Sequence, residues 1–303
     1  MKRRMSNAVR SDGPAARGMP AVILCGGVGT RLREETEYRP KPMMEIGGKP
    51  ILWHILRIFA RQGVREFILC LGYKGEMIRH YFLDYEVMHA DVTVELGSKR
   101  VVVHDGLDAY DWRVTLADTG AKAQTGARVA RARRYVGARP FFLTYGDGLA
   151  DIDLRGLLSH HRRQGRLATV TAVHPWSGRF GELSLQASRV VAFKEKPQQE
   201  TSYVNGGFFV CEPGVFEYLS AENDCVLERE PMERLAAADQ LSAYRHDGFW
   251  ACMDTYRDWM VLNDMCERGE RPWEQIGRSG RRRRSGATGE FSSRARQAYS
   301  AAG

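Results

Sequence analysis

A chain of 303 residues with 43% hydrophobic side chains can bury a sizeable core. Its formal charge of +8 would suit a nucleic-acid binder if it were spread out, but residues 1–19 set five basic side chains against Asp12 and residues 278–303 set seven arginines against Glu290, leaving the middle near −2. No aromatic residue interleaves Arg281 to Arg284 as a base-stacking surface requires, no run reaches the roughly 18 apolar residues of a membrane span, and the first residues lack an apolar signal core. Nucleic-acid, membrane and secretory roles are therefore set aside, and a cytoplasmic protein is expected. Cys25, Cys70, Cys211, Cys225, Cys252 and Cys266 are scattered without a C-x-x-C pair, as suits buried thiols in a reducing compartment better than zinc or disulfides. The domain division that follows is 1–18 as a disordered basic extension, 19–277 as one folded domain, and 278–303 as a disordered Arg-rich tail.

Ala21-Val22-Ile23-Leu24 is an apolar run that stops at Cys25, Gly26 and Gly27, with Gly29 close behind, which predicts a buried strand feeding a glycine loop. Glycines accept positive φ and expose bare N–H groups, so the loop can either cradle a phosphate chain, with Thr30 and Arg31 adding a hydroxyl and a guanidinium, or simply turn tightly. Gly-Lys-Ser/Thr is missing, which excludes a P-loop, and Leu32 follows Arg31 where the dinucleotide fingerprint would need glycine. Lys41 stands between Pro40 and Pro42, so a stiff non-helical segment aims it. Ile51, Leu52, Ile55, Leu56 and Phe59 recur at helical spacing up to Gly63, with His54 expected to be a structural hydrogen bonder. Phe67 to Leu71 is a second strand, and Met77, Ile78, Tyr81 and Phe82 mark a second helix. This βαβα rhythm predicts a doubly wound α/β fold with a mostly parallel, mixed sheet, whose ligands gather at the carboxyl ends of its strands. Residues 91–117 interrupt it with short alternating strands around Val92, Val101 and Val114, read as β-ribbon excursions.

The stretches GGVGTR, RPKPM and EIGGKPILWHI resemble the sugar nucleotidyltransferases and, within them, the glucose-1-phosphate cytidylyltransferases, a likeness covering roughly residues 19 to 275. By this resemblance the nucleotide set is Leu24, Cys25, Gly26, Gly27, Val28, Gly29, Thr30, Arg31, Lys41, Arg128 and Gly146, with Arg31 and Lys41 catalytic. Thr125-Gly126-Ala127-Arg128 resembles the family's Thr-Gly-Gly-Arg, with alanine at the second glycine; the alternative for Arg128 is a solvent-facing residue on the helix toward Val136.

Phe141 to Thr144 predicts a central strand, and Asp147, flanked by Gly146 and Gly148, faces the ligand crevice as a candidate Mg²⁺ ligand. Asp151 and Asp153 are expected to open the next helix as cap or first-turn acids. Leu167 to Val173 is a further strand, and Pro175 to Gly181 resembles a family connection with Trp176-Ser177 at its second proline. Val190 to Phe193 leads to Glu195 and Lys196, which by resemblance hold the sugar hydroxyls and the sugar phosphate, and Asn205 lies near the sugar. Glu212-Pro213-Gly214 and residues 228–238 are expected to start and form helices, and Leu241 to Tyr244 an edge strand. Asp254, in a segment resembling Trp-x-x-Met-Asp-Thr, is read as a second metal ligand meeting Asp147, with the N-cap of the last helix as the alternative.

The resemblance implies transfer of the cytidylyl group of CTP to α-D-glucose 1-phosphate, with Mg²⁺, in a homo-oligomer serving deoxysugar or surface-polysaccharide synthesis. A phosphate monoester is already mostly anionic at neutral pH, so the nucleophile needs no protein base. A uridylyl- or thymidylyltransferase stands as the alternative within the class. A non-catalytic sugar-nucleotide-binding paralogue or a nucleotide-binding oxidoreductase stands outside it.

Overall fold

The structure is a computed structural model and describes residues 16, 18–27, 37–104, 110–174, 182–186, 189–194 and 203–275, of which 182–186 and 189–194 by backbone alone. Among these residues ten strands form one mixed sheet: β1 Ala21–Leu24, β2 Glu66–Leu71, β3 Arg113–Asp118, β4 Phe141–Tyr145, β5 Ala168–Val173, β6 Glu182–Gln186, β7 Arg189–Lys194, β8 Tyr203–Asn205, β9 Phe209–Cys211 and β10 Leu241–His246. Their spatial order is β8-β6-β7-β10-β5-β9-β4-β1-β2-β3. β1 runs parallel to β2 and β4, β2 to β3, and β5 to β10, whereas β9 is antiparallel between β4 and β5. β8 pairs with β5 as well as β6, so β5, β10, β7, β6 and β8 close on themselves at the far end of the sheet. The doubly wound, mostly parallel architecture expected from the βαβα rhythm is the one observed.

The helices are α1 Ile51–Ala60, α2 Gly75–Leu83, α3 Tyr85–His89, α4 Thr125–Val136, α5 Leu154–Gln164, α6 Glu230–Ala237 and α7 Tyr256–Glu267. Strand side chains alternate between two cores: Ala21, Ile23 and Phe142 pack with α1, and Val22, Leu24 and Phe141 pack with α4. Every residue of α1 except Arg57 is buried, because the sheet lies on one side and the C-terminal segment covers the other. The Phe59 ring lies 5.7 Å from both Phe142 and Phe208, and Trp273 Nε1 donates to His54 Nδ1 at 3.3 Å. His54 also contacts the Ile46 carbonyl through Nε2 at 2.8 Å, and burial lowers its pKa. Truncating a side chain seated like Phe59 costs about 3–5 kcal/mol.

Four sequence expectations change. Val114 to Leu116 lies in β3 and extends the main sheet, while Val92–Glu95 and Arg100–Val103 alone form the exposed ribbon. β10 is central, not an edge, because its polar Ser242 is satisfied internally, 2.6 Å from Thr169 Oγ1, which in turn meets His161 Nδ1 at 2.8 Å. Pro213–Tyr218 is a 3₁₀ turn. Asp153 caps α5, accepting from the Arg155 and Gly156 N–H groups, but Asp151 instead pairs with His246 at 3.0 Å.

The chain runs from β1 outward through β2 and β3, then crosses to β4 on the other side of β1. The point where strand order reverses opens a crevice beyond the carboxyl ends of β1 and β4. Leu24 is level with Cys70 and Tyr145, so the segments after β1, β2 and β4 leave the sheet together.

Candidate active site

Two of the glycines at this edge are required by close approach. A Cβ on Gly26 would lie 2.2 Å from Arg128 Cζ, and one on Gly146 would lie 2.7 Å from the Leu24 carbonyl oxygen. Arg128, on the first turn of α4, is 1% exposed and thus not the solvent-facing residue of the alternative expectation. Its Nη1 donates to Leu71 O, Thr119 Oγ1 and Gly120 O, each at 2.9 Å. The guanidinium therefore ties together the segments that follow β1, β2 and β3, and burial lowers its pKa. Ala127, in place of the family's second glycine, is fully buried, and its N–H bonds to the Cys225 carbonyl at 3.1 Å.

Pro40 and buried Pro42 shape the 3₁₀ turn Lys41–Met43 and present Lys41 to the crevice. Lys41 Nζ donates to Asp147 Oδ2 at 2.7 Å and to Asp254 Oδ1 at 2.6 Å, although these partners lie 106 and 213 residues away in sequence. A two-stranded ribbon brings the acids together: Trp250–Cys252 pairs antiparallel with Gly148–Ala150, and the Met253 N–H reaches the Asp147 carbonyl at 2.9 Å. The cap of α7 is Thr255, in a capping box with Asp258, so the N-cap expectation for Asp254 is replaced by an ion pair in the crevice. Burial pulls the Lys41 pKa down, but attraction by the carboxylates, Asp147 foremost and then Asp254, more than reverses this, so the ammonium is held above its ordinary value.

The two carboxylates leave one negative charge in excess over Lys41. Their ligand atoms and Cys252 Sγ all lie within 4.8 Å of one another. Two carboxylate oxygens fit a hard divalent cation that completes its shell with phosphate oxygens and water, whereas the thiol is a softer donor. Burial, followed by the charge of Asp147, pushes the Cys252 thiol well up, so it is a neutral neighbour at physiological pH. Sequence reasoning passed over Cys252. It ends the strand Trp250–Cys252 and stands two positions before Asp254.

Asn205, at the end of β8, donates from Nδ2 to the Tyr145 hydroxyl at 2.8 Å and accepts at Oδ1 from the Gly207 N–H at 2.9 Å. Tyr145 is two residues before Asp147, so Asn205 and the acid pair are linked through one strand end. Of the expected set, Leu24, Cys25, Gly26, Gly27, Lys41, Arg128, Gly146, Asp147 and Asp254 gather at the carboxyl edge around β1 and β4. Val28, Gly29, Thr30, Arg31, Glu195 and Lys196 lie outside the described residues, as do the loop 175–181 and nearly all of both tails.

Residues 20–264 match the nucleotidyl transferase family profile. The chain is 46% identical over 258 residues to the glucose-1-phosphate cytidylyltransferase of Salmonella typhi, covering 84% of this chain and 99% of that one. It is 44% identical over 256 residues to a protein of Bacillus subtilis described as a probable glucose-1-phosphate cytidylyltransferase, with the same coverage. The solved structure of a UTP-bound UGPase from Acinetobacter baumannii superposes with a TM-score of 0.66 at 17% identity, covering 87% of this chain and 97% of that one, a likeness of fold. With its sheet, its crevice and nearly the whole length of these relatives in common, the chain belongs to the nucleotidyl transferase family.

Proposed function

We propose that this protein joins CTP and α-D-glucose 1-phosphate into CDP-glucose and pyrophosphate. The observation that carries the reading is near-complete coverage, at 46% identity, of a glucose-1-phosphate cytidylyltransferase. The crevice chemistry supports it. Attack by a phosphate on the α-phosphoryl group asks a protein mainly to align two mutually repelling anions and to neutralise charge on the group in flight and the leaving pyrophosphate. Lys41 supplies a permanently charged ammonium, aimed by its flanking prolines and by both acids. Arg128 shapes the edge against which the nucleotide lies, and Arg31, Thr30 and the glycine loop are assigned to its phosphates. Asn205, with Glu195 and Lys196, is assigned to the sugar phosphate. Asp147 and Asp254 would hold Mg²⁺, which as a Lewis acid supplies positive charge to phosphoryl oxygens.

The reading extends to a cytoplasmic homo-oligomer with no nucleic-acid or membrane partner, whose product serves deoxysugar or surface-polysaccharide synthesis. Exposed Leu83 on α2, Met88 on α3, and Val94 and Leu96 in the ribbon that follows them support self-association. Among the described residues no helix is long and apolar enough to cross a membrane. Pyrophosphate release measured with CTP, UTP, dTTP and ATP, each with glucose 1-phosphate, tests the assignment. CTP is expected to be preferred, and equal or better turnover with UTP or dTTP would overturn it.

A further inference from the structure

A chain of hydrogen bonds with a fixed direction runs behind the sugar side of the crevice. The Leu227 N–H donates to Thr125 Oγ1 at 2.9 Å, which commits the Thr125 hydroxyl proton to Glu228 Oε2 at 2.6 Å. The Tyr145 hydroxyl donates to Glu228 Oε1 at 2.7 Å and accepts the Asn205 Nδ2 proton at 2.8 Å. At the far end the Gly207 N–H occupies Asn205 Oδ1 at 2.9 Å. An ionised carboxylate only accepts, so Glu228 forces the Tyr145 proton toward itself and leaves the phenol oxygen as an acceptor. Only one orientation of the Asn205 amide satisfies both that oxygen and the Gly207 N–H.

From this arrangement we propose that Glu228 is a positioning residue for the sugar phosphate: through Tyr145 it sets which atoms of the Asn205 amide face the ligand. The proposal rests on the assignment of Asn205 to the sugar side. With Glu228 ionised, Asn205 keeps its second amide proton for a hydroxyl or phosphate oxygen and one lone pair of Oδ1 for a hydroxyl proton. Burial first, and the Glu228 charge second, push the Tyr145 pKa well up, so the phenol keeps the proton that the chain requires. The residues come from separate elements: Tyr145 ends β4, Asn205 ends β8, Thr125 opens α4, and Glu228 precedes α6. The chain thus couples the strand end that carries Asp147 to the one that carries Asn205. A glutamine at 228 breaks its direction, since an amide N–H must then face Tyr145 or Thr125, whose oxygens already accept from Asn205 and Leu227.

The test uses the full chain carrying Glu228→Gln, Tyr145→Phe or both, with kinetics in CTP and glucose 1-phosphate and calorimetric binding of glucose 1-phosphate alone. Each single change should raise the KM and Kd for glucose 1-phosphate about 5–10-fold, the scale of one hydrogen bond, while the KM for CTP stays within about twofold. The double variant should be no worse than Glu228→Gln, because both act through one chain. Tyr145→Phe keeps the ring near Phe209, at 6.2 Å between centroids, so it serves if Glu228→Gln fails to fold. A KM for CTP that rises in step, a KM for glucose 1-phosphate that does not move, or additive effects would overturn the proposal. A wild-type enzyme that ignores glucose 1-phosphate overturns the substrate assignment instead. The side-chain amide resonance of Asn205, assigned with Asn205→Asp, then decides the matter without substrate: it should shift in both single variants, and an unmoved resonance refutes the role of Glu228.

Discussion

Lys41, half-buried, and Arg128, fully buried, are two cations on the same edge of one sheet, and they are satisfied in opposite ways. Arg128 spends its planar fork of donors on the Leu71 and Gly120 carbonyls and the Thr119 hydroxyl, neutral groups that belong to the fold. Lys41 places a compact charge between two carboxylates, Asp147 and Asp254. A cation held by neutral dipoles cannot be drawn away without opening the segments it ties together, whereas ion pairs can exchange partners when phosphates or a metal arrive. Equal charge therefore marks different work at different depths, with Arg128 1% exposed and the Lys41 side chain 14% exposed. Arg128 reinforces the edge of the crevice, and Lys41 with its acids is the chemically exchangeable part.

The largest effect should come from the acids. Asp147→Asn and Asp254→Asn are each expected to lower kcat about 10³-fold or more, with the double variant little worse than either, as for residues that act as a unit. Titrating turnover with Mg²⁺ checks this, and an Asp254→Asn enzyme with normal kcat and normal Mg²⁺ dependence would remove Asp254 from the pair. Lys41→Ala should follow, with kcat down roughly 10²–10³-fold while the KM for glucose 1-phosphate changes far less. An unchanged kcat would leave Lys41 no different in kind from Arg128.

Arg128→Lys should act mainly on stability, with a loss of about 2–4 kcal/mol in urea unfolding as carbonyls lose their donors. If instead the variant keeps its stability and only the KM for CTP rises, Arg128 works on the nucleotide directly and the contrast collapses. A smaller effect concerns pH. The folded-state pKa of Lys41 is raised, so its stabilising pairing is fully present below the unfolded value near ~10.4 and is lost only as pH rises through the folded value. The difference in unfolding free energy between the wild type and Lys41→Met should thus be the same at pH 7 and pH 9. A difference that shrinks across this interval would contradict a raised pKa. The smallest effect is expected from the tails: residues 19–277 alone should unfold cooperatively and turn over at the full-length rate, and a non-cooperative melt would show that the tails are structural.

Local patterns made much of the molecule legible in advance. Continuous apolar runs such as Ala21 to Leu24 and Phe141 to Thr144 announced strands buried on both faces, and the helical spacing from Ile51 to Phe59 announced α1. Lys41 could be singled out because two prolines restrict its backbone, and Asp147 because an acid between glycines at a strand end has few structural uses. What stayed open or changed has a common cause. Asp254 carried the helix cap as an alternative to the metal-ligand reading because caps are chosen among Asp, Asn, Ser and Thr, and nothing local says that Thr255 takes that task in a capping box with Asp258. The central place of β10 was equally hidden, because the groups that satisfy its Ser242, Thr169 and behind it His161, are 73 and 81 residues away.

The sequence by itself determined the class of fold, the glycine loop and the aimed lysine, because each depends on backbone restriction or side-chain period within about ten residues. Tertiary structure alone decided which distant charges meet. The ribbon pairing of Cys252 with Gly148 puts Asp254 beside Asp147, the β1–β2–β3 edge turns Arg128 inward onto backbone carbonyls, and the approach of the segment before α6 to the ends of β4 and β8 joins Glu228 to Asn205 through Tyr145. Coulomb and hydrogen-bond energies depend on separation in space, and across a doubly wound sheet that separation bears no simple relation to distance along the chain.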